Sequence, residues 1–152
     1  MSRINNPNNS LPYYLRGAFR GFETALGRYL TDYDLPLSQF YILRLQWSEH
    51  GDSQIDIAER AFMTESVASQ VLKKMEKNDL VRRKPNPNDR RSRLVQLTHT
   101  GRAMRERIVS DGIQLSNENS PKISKQDMKT TIEVLMKVKQ GFDAFNTRTD
   151  ST

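Results

Sequence analysis

The 152-residue sequence predicts a mainly α fold with one small β-hairpin, and three observations carry that reading. Apolar residues recur at helical 3,4 spacing over long stretches near both ends of the chain, as on the buried stripe of an amphipathic helix. Between them, two short helical patterns stand only a few residues apart, the sequence form of a helix-turn-helix. Two apolar-containing runs joined by a turn-rich, cationic segment then follow, as the strands of a hairpin do. The length suits one ordinary domain with appendages.

In chain order, residues 1–10 are rich in Asn and read as a disordered tail, without the apolar run of a signal peptide. Residues 11–33 carry Leu11, Leu15, Phe22, Leu26, Tyr29 and Leu30 among others on one stripe, a long first helix. Asp34-Leu35-Pro36 breaks it, and Ser38 is the expected N-cap of a second helix running to about His50, with Gly51 left-handed behind it. A short third helix is expected near residues 54–61. After a Phe62-Met63 turn, a fourth follows over about 64–78, with Val67, Val71, Leu72 and Met75 inward and Ser66, Ser69, Gln70, Lys73, Lys74 and Lys77 outward. Residues 80–84 and 93–97 read as strands, with 85–92 as the loop between them. Thr98 can cap a fifth helix to about residue 115, and 116–121 form a polar break. Ser124 with Asp127 three residues on resembles a capping box; it opens a sixth helix whose apolar stripe runs from Met128 to Phe145. Residues 147–152 read as a frayed end.

Charge narrows the class of partner. The net charge is +6, yet residues 73–107 alone hold twelve Lys/Arg against four acids, so the rest of the chain is slightly acidic. Such a local positive field attracts polyanions, nucleic acid first. The absence of cysteine excludes disulfides, thiolate metal sites and thiol sensing, and fits a cytoplasmic protein. No stretch of 18 apolar residues occurs, so no membrane partner is expected. His50 and His99 do not stand in metal-ligand spacing, and no cofactor is implied.

A helix-turn-helix followed by a basic hairpin matches duplex DNA, whose major groove admits one helix while phosphates flank it. Thr64, Ser66 and Ser69 at the front of the fourth helix are short and polar, which lets its backbone approach base edges. Gln70 can pair bidentately with adenine, and Lys73 and Lys74 are placed for phosphate. An ordinary solvated helix face is the bland reading of the same residues. At the hairpin, Arg90 and Arg91 suit a narrowed minor groove, and Asp89 suits a role in holding Arg91 by a charge-assisted hydrogen bond.

Leu80-Val81-x-Arg83, Pro87-x-Asp89-Arg90-Arg91, Val95-x-Leu97-Thr98 and Thr100-Gly101-Arg102 together resemble the wing signature of the MarR (multiple antibiotic resistance regulator) family, and the helix order resembles it over residues 11–146. The resemblance implies a winged helix-turn-helix lobe (about 38–98) plus a helical dimerisation region (about 11–33, 99–115 and 124–146) within one domain. It implies a homodimer on a pseudo-palindromic operator, commonly a repressor. The signature residues Arg83, Asp89, Arg90 and Arg91 join Thr64, Ser66, Ser69, Gln70, Lys73 and Lys74 as expected DNA contacts. Two departures stand out: Asp79 occupies a position where many members have Gly, and Gln70 one where Arg is frequent.

The resemblance also implies a small-molecule pocket where the first, second and fifth helices meet. Tyr14, Arg16, Phe19, Phe40, Tyr41 and Trp47 are the aromatic and cationic residues expected there. Arg16 suits the carboxylate of an aromatic acid; a snorkelling Arg16, or one paired across the dimer, is the competing reading. An enzyme finds no support, since neither a nucleophile elbow nor a phosphate-binding glycine loop occurs. The remaining alternative is an architectural DNA-binding or protein-interaction module without any ligand.

Overall fold

The computed structural model describes residues 10–119 and 122–149, with the side chains of 90–91, 113–119 and 147–149 outside the description. Most of the expected tail, the Ser120-Pro121 step and residues 150–152 therefore lie outside the described residues. Two compact units divide after Ser110.

The first unit opens with α1 (Leu11–Leu30), entered from an extended Ser10 with Pro12 in the first turn, where its missing N–H is not needed. A short 3-10 turn, Thr31–Tyr33, ends at Asp34 with φ 49°, and Leu35 returns its N–H to the Leu30 carbonyl. α2 (Leu37–Leu43) starts at Pro36 rather than Ser38 and is far shorter than expected. Groups beyond it are claimed from elsewhere: Asp52 takes the Ser48 N–H at 3.0 Å, and Arg60 donates to the Gln46 carbonyl. Gly51, with φ 89°, sits in the turn ahead of the sheet instead of at a helix end; a Cβ there would meet Gln96 Cγ at 2.7 Å and the Val95 carbonyl at 2.9 Å.

β1 (Asp52–Ser53) is a strand of two residues, too short for any alternation to reveal. It leads into α3 (Gln54–Arg60), α4 (Glu65–Lys77), β2 (Val81–Asn86), β3 (Asp89–Leu97) and α5 (His99–Asn119). The sheet order is β1-β3-β2, all antiparallel, with Val81 opposite Leu97 and Asp52 opposite Val95. The hairpin is longer than its expected strands, because pairing continues through most of the former loop to a turn at Pro87-Asn88. Asn86 accepts the Asn88 N–H there and donates to Ser92 Oγ.

One core unites these elements: Leu26 and Leu30 from α1, Ile42 and Leu43 from α2, Ile57 from α3, Val71, Leu72 and Met75 from α4, Val81, Val95 and Leu97 from the hairpin, and Ile108 from α5. Each large aliphatic side chain removed from water there contributes about 1.5–3 kcal/mol before entropy is counted. Tyr29 Oη lies 3.1 Å from Tyr33 Oη and 3.3 Å from the Ile108 carbonyl, while the Arg107 guanidinium stands over the Tyr33 ring, joining α1 to α5.

The second unit holds the rest of α5 and α6 (Lys125–Thr149). α5 continues through the expected polar break to Asn119, since neither Gly nor Pro interrupts 116–119. Ser124 caps α6 by accepting the Asp127 N–H at 3.0 Å, and its hydroxyl donates to Asp127 Oδ2 at 2.7 Å, a side-chain bond where a capping box would engage the Ser124 N–H. The apolar stripe of α6 is largely bare in the single chain: Ile132, Phe142 and Phe145 are all more than half exposed. No described helix is long and apolar enough to cross a membrane.

Candidate nucleic-acid interface

Two capped helices and a tight turn form the helix-turn-helix. Ser53 caps α3 by accepting the Asp56 N–H at 3.1 Å, and Thr64 caps α4 by accepting that of Val67 at 3.3 Å. Between them Phe62 adopts φ 55°, and Met63 returns its N–H to the Ala58 carbonyl, a Schellman closure that turns the chain without glycine. α4 buries Ala68, Val71, Leu72 and Met75. Val67, expected inward, is 45% exposed, and Ala68 takes the inward place. The physical reason is angular: at 3.6 residues per turn residue 68 lies about 40° from Leu72 around the axis, and residue 67 about 140°.

Of the expected contact residues on this helix, Ser66, Gln70, Lys73 and Lys74 are exposed, Ser69 is half-buried, and Thr64 is exposed while its oxygen serves the cap. Glu65 and Glu76 also lie on the exposed surface, and Glu76 has a definite task. Arg83, expected at DNA, directs its guanidinium inward to the lobe. Nε lies 3.6 Å from Glu76 Oε2 and Nη2 donates to Gln54 Oε1 at 3.3 Å, so Arg83 ties the base of the wing to both α3 and α4. Neither partner carried a signal in the sequence, because each is an ordinary polar residue in an ordinary helical position. Asp89 opens β3 and its carbonyl accepts Ser92 Oγ–H at 3.3 Å. Arg90 and Arg91 belong to β3, and their side chains lie outside the described residues, as does the expected Asp89–Arg91 contact.

The signature residues past the wing build a joint. Asp79 adopts φ 54°, donates its N–H to the Glu76 carbonyl and lets Leu80 return to that of Met75, closing α4 in a Schellman motif where glycine is usual. Thr100 Oγ1 donates to Asp79 Oδ2 at 2.9 Å, and Thr98 Oγ1 donates to the Asp79 carbonyl and accepts the Gly101 N–H. Gly101 is needed for contact, not for a special φ: a Cβ would stand 1.9 Å from the Leu80 carbonyl oxygen. The end of α4, the start of β2 and the start of α5 thus meet at one point.

Of the six residues expected around a ligand, Phe40 and Tyr41 are described in contact with each other. Tyr14, Arg16 and Phe19 lie on the exposed N-terminal part of α1. Phe40 and Tyr41 are half-buried on α2 and meet edge to face at 5.7 Å. Tyr41 Oη donates to Glu23 Oε1 at 3.4 Å; burial, and then the charge and hydrogen bond of Glu23, hold its hydroxyl above the ordinary tyrosine pKa, against a smaller opposing pull from Arg44. Trp47 lines a cleft of about 500 Å³ with Gln96, Arg102, Arg105 and Glu106, and its buried Nε1 has no hydrogen-bond partner among the described residues. That cleft is walled by the loop after α2, which Asp52–Arg60 anchors to α3 and the Gln96–Glu49 hydrogen bond anchors to β3.

Comparison with known proteins agrees with this geometry. The model of the MarR family matches residues 35–92, from the entry into α2 to the middle of the wing. The transcriptional regulator HosA of Escherichia coli O111:H- is 27% identical over 105 residues, 69% of this chain and 78% of HosA. Among solved structures, Bordetella bronchiseptica BpsR, solved in work on the regulation of its DNA binding by 6-hydroxynicotinic acid, superposes with a TM-score of 0.78 at 21% identity, covering 88% of this chain and 96% of that one. S. aureus MepR in complex with DNA does so with a TM-score of 0.76 at 20% identity, covering 87% and 98%. The fold is that of these winged-helix regulators.

Proposed function

We propose that this chain is a transcriptional regulator of the MarR type, a cytoplasmic, ligand-responsive repressor that binds a pseudo-palindromic duplex operator as a homodimer. The observation that carries the reading is the outer face of α4, with Ser66, Gln70, Lys73 and Lys74 exposed, running through the Arg83–Glu76 contact into a cationic hairpin in the same lobe. In this reading α4 lies in the major groove, where Gln70 reads a base and Ser66 and Ser69 bond to bases or phosphates. Lys73 and Lys74 meet phosphate, and Arg90 and Arg91 on the wing enter the adjacent minor groove. MepR, which binds DNA in its complex, supports the mode of docking by its shared fold.

Dimerisation falls to the first, fifth and sixth helices. The bare apolar residues of α1, among them Leu15, Phe19 and Phe22, and separately those of α6, support it, because apolar patches of this extent are normally covered. The effector is a small aromatic carboxylate held by Arg16 with Tyr14, Phe19, Phe40, Tyr41 and Trp47 around its ring. BpsR, whose DNA binding responds to 6-hydroxynicotinic acid, supports that chemical class. Its binding would alter the spacing of the two recognition helices, which must sit about 34–36 Å apart to reach successive turns.

A mobility shift on the chain's own promoter region, across a salt series, tests the DNA reading. Arg90→Ala with Arg91→Ala should weaken binding to every sequence and flatten the salt slope by about one to two units. Binding without any sequence preference would overturn the operator-specific reading. For the effector, aromatic carboxylates titrated onto the bound complex should release wild type but not Arg16→Ala; an identical response of the two would remove Arg16 from the site.

A further inference from the structure

Val67 is the side chain whose place the structure reverses, and its new surroundings suggest a use. Of the exposed residues described on α4, Val67 alone is apolar; the others are Glu65, Ser66, Gln70, Lys73, Lys74, Glu76 and Lys77. It belongs to the first turn, where its own N–H is held by the Thr64 cap, so its backbone is fixed. Its branched Cβ also restricts the side chain to few rotamers, so little freedom is lost on contact. Around the helix axis Val67 lies about 60° from Gln70 and about 20° from Lys74, at the flank where the exposed face meets the buried stripe.

The wall of a major groove offers polar edges at every base pair and one apolar group, the 5-methyl of thymine. We propose that Val67 is a specificity-determining residue whose methyl groups pack on a thymine 5-methyl beside the base read by Gln70. The inference rests on the reading of α4 as the helix that enters the major groove. Residues three apart on a helix place their Cβ atoms about 5–6 Å from each other. Successive bases rise about 3.4 Å along the duplex. The thymine therefore falls within one or two base steps of the adenine that Gln70 pairs, and each half-site carries an A/T step with the thymine methyl turned to the protein.

The test uses the duplex recovered by the wild-type chain from a randomised pool. Each thymine is replaced in turn by deoxyuridine, which deletes the methyl and keeps the pairing. At one thymine per half-site, next to the position whose preference Gln70→Ala relaxes, the replacement should weaken wild-type binding about fourfold, the value of one buried methyl group. Val67→Ala, an exposed site whose folding is checked by thermal melting, should bind the thymine and uracil duplexes alike. The proposal fails if no uracil replacement affects wild type, or if it weakens Val67→Ala equally. Recovery of no preferred duplex at all would overturn the reading of α4 together with it, whereas specific but methyl-blind recognition overturns the role of Val67 alone.

Discussion

Asp79 shows how a single position can serve backbone and side chain at once. Its left-handed φ of 54° closes α4, and its carboxylate receives the Thr100 hydroxyl. The two roles separate by substitution. Asp79→Gly keeps the conformation without strain and loses only the hydrogen bond, so thermal or denaturant melts should show a change within about 1 kcal/mol. Asp79→Ala loses the bond and must hold a Cβ in the left-handed region, and should cost about 1–2 kcal/mol more than Gly. A second residue-scale outcome concerns pH. The Tyr41 hydroxyl holds its proton more tightly folded than unfolded, so its contribution to stability is whole below the ordinary tyrosine value of 10.0 and is lost as pH rises beyond it. Denaturant melts on both sides of that value should show a steeper alkaline loss in wild type than in Tyr41→Phe.

Among the elements, the wing is held to the helix-turn-helix by the Arg83–Glu76 pair and by Gln54. Glu76→Gln removes a negative charge from the lobe proposed to face DNA, which by itself favours phosphate. If Glu76 serves to position the wing, affinity for all duplexes should nevertheless fall, by several-fold, with the salt slope unchanged because no phosphate contact is lost; titrations at several salt concentrations read both quantities. The sequence made α1, α3, α4, α6 and the existence of the hairpin legible, since long periodic stripes and a side-chain cap such as Ser124 leave local marks. It did not reveal where α2 stops, because Leu45 and Trp47 continue the apolar spacing although the chain has left the helix to meet Asp52 and Arg60. β1 was invisible because its pairing with Val95 and Leu94 is a tertiary fact about two residues. In the candidate site, Gln70 and the lysines could be placed from spacing alone. Val67 could not, since it sits at the flank of the apolar stripe, and the inward turn of Arg83 depends on partners distant in sequence.

At the scale of the molecule, the single chain leaves much of its apolar surface on α1 and α6 uncovered. If those faces meet those of a second copy, melting temperature should rise with protein concentration, because association favours the folded state by mass action. Sedimentation equilibrium should give the mass of two chains. Phe142→Asp with Phe145→Asp should shift that equilibrium toward one chain and weaken operator binding, while a stable single chain in wild type would contradict the dimer. The junction at Gly101 bears on how such a molecule can be re-engineered. Because Leu80 lies against the first turn of α5 with no room for a methyl group, and Asp79 is clasped by Thr98 and Thr100, the winged lobe is not a cassette that ends at the last strand. A chimaera intended to transplant it into another scaffold has to be spliced downstream of Gly101; a splice between hairpin and helix would discard the clasp and transfer a head with no fixed neck.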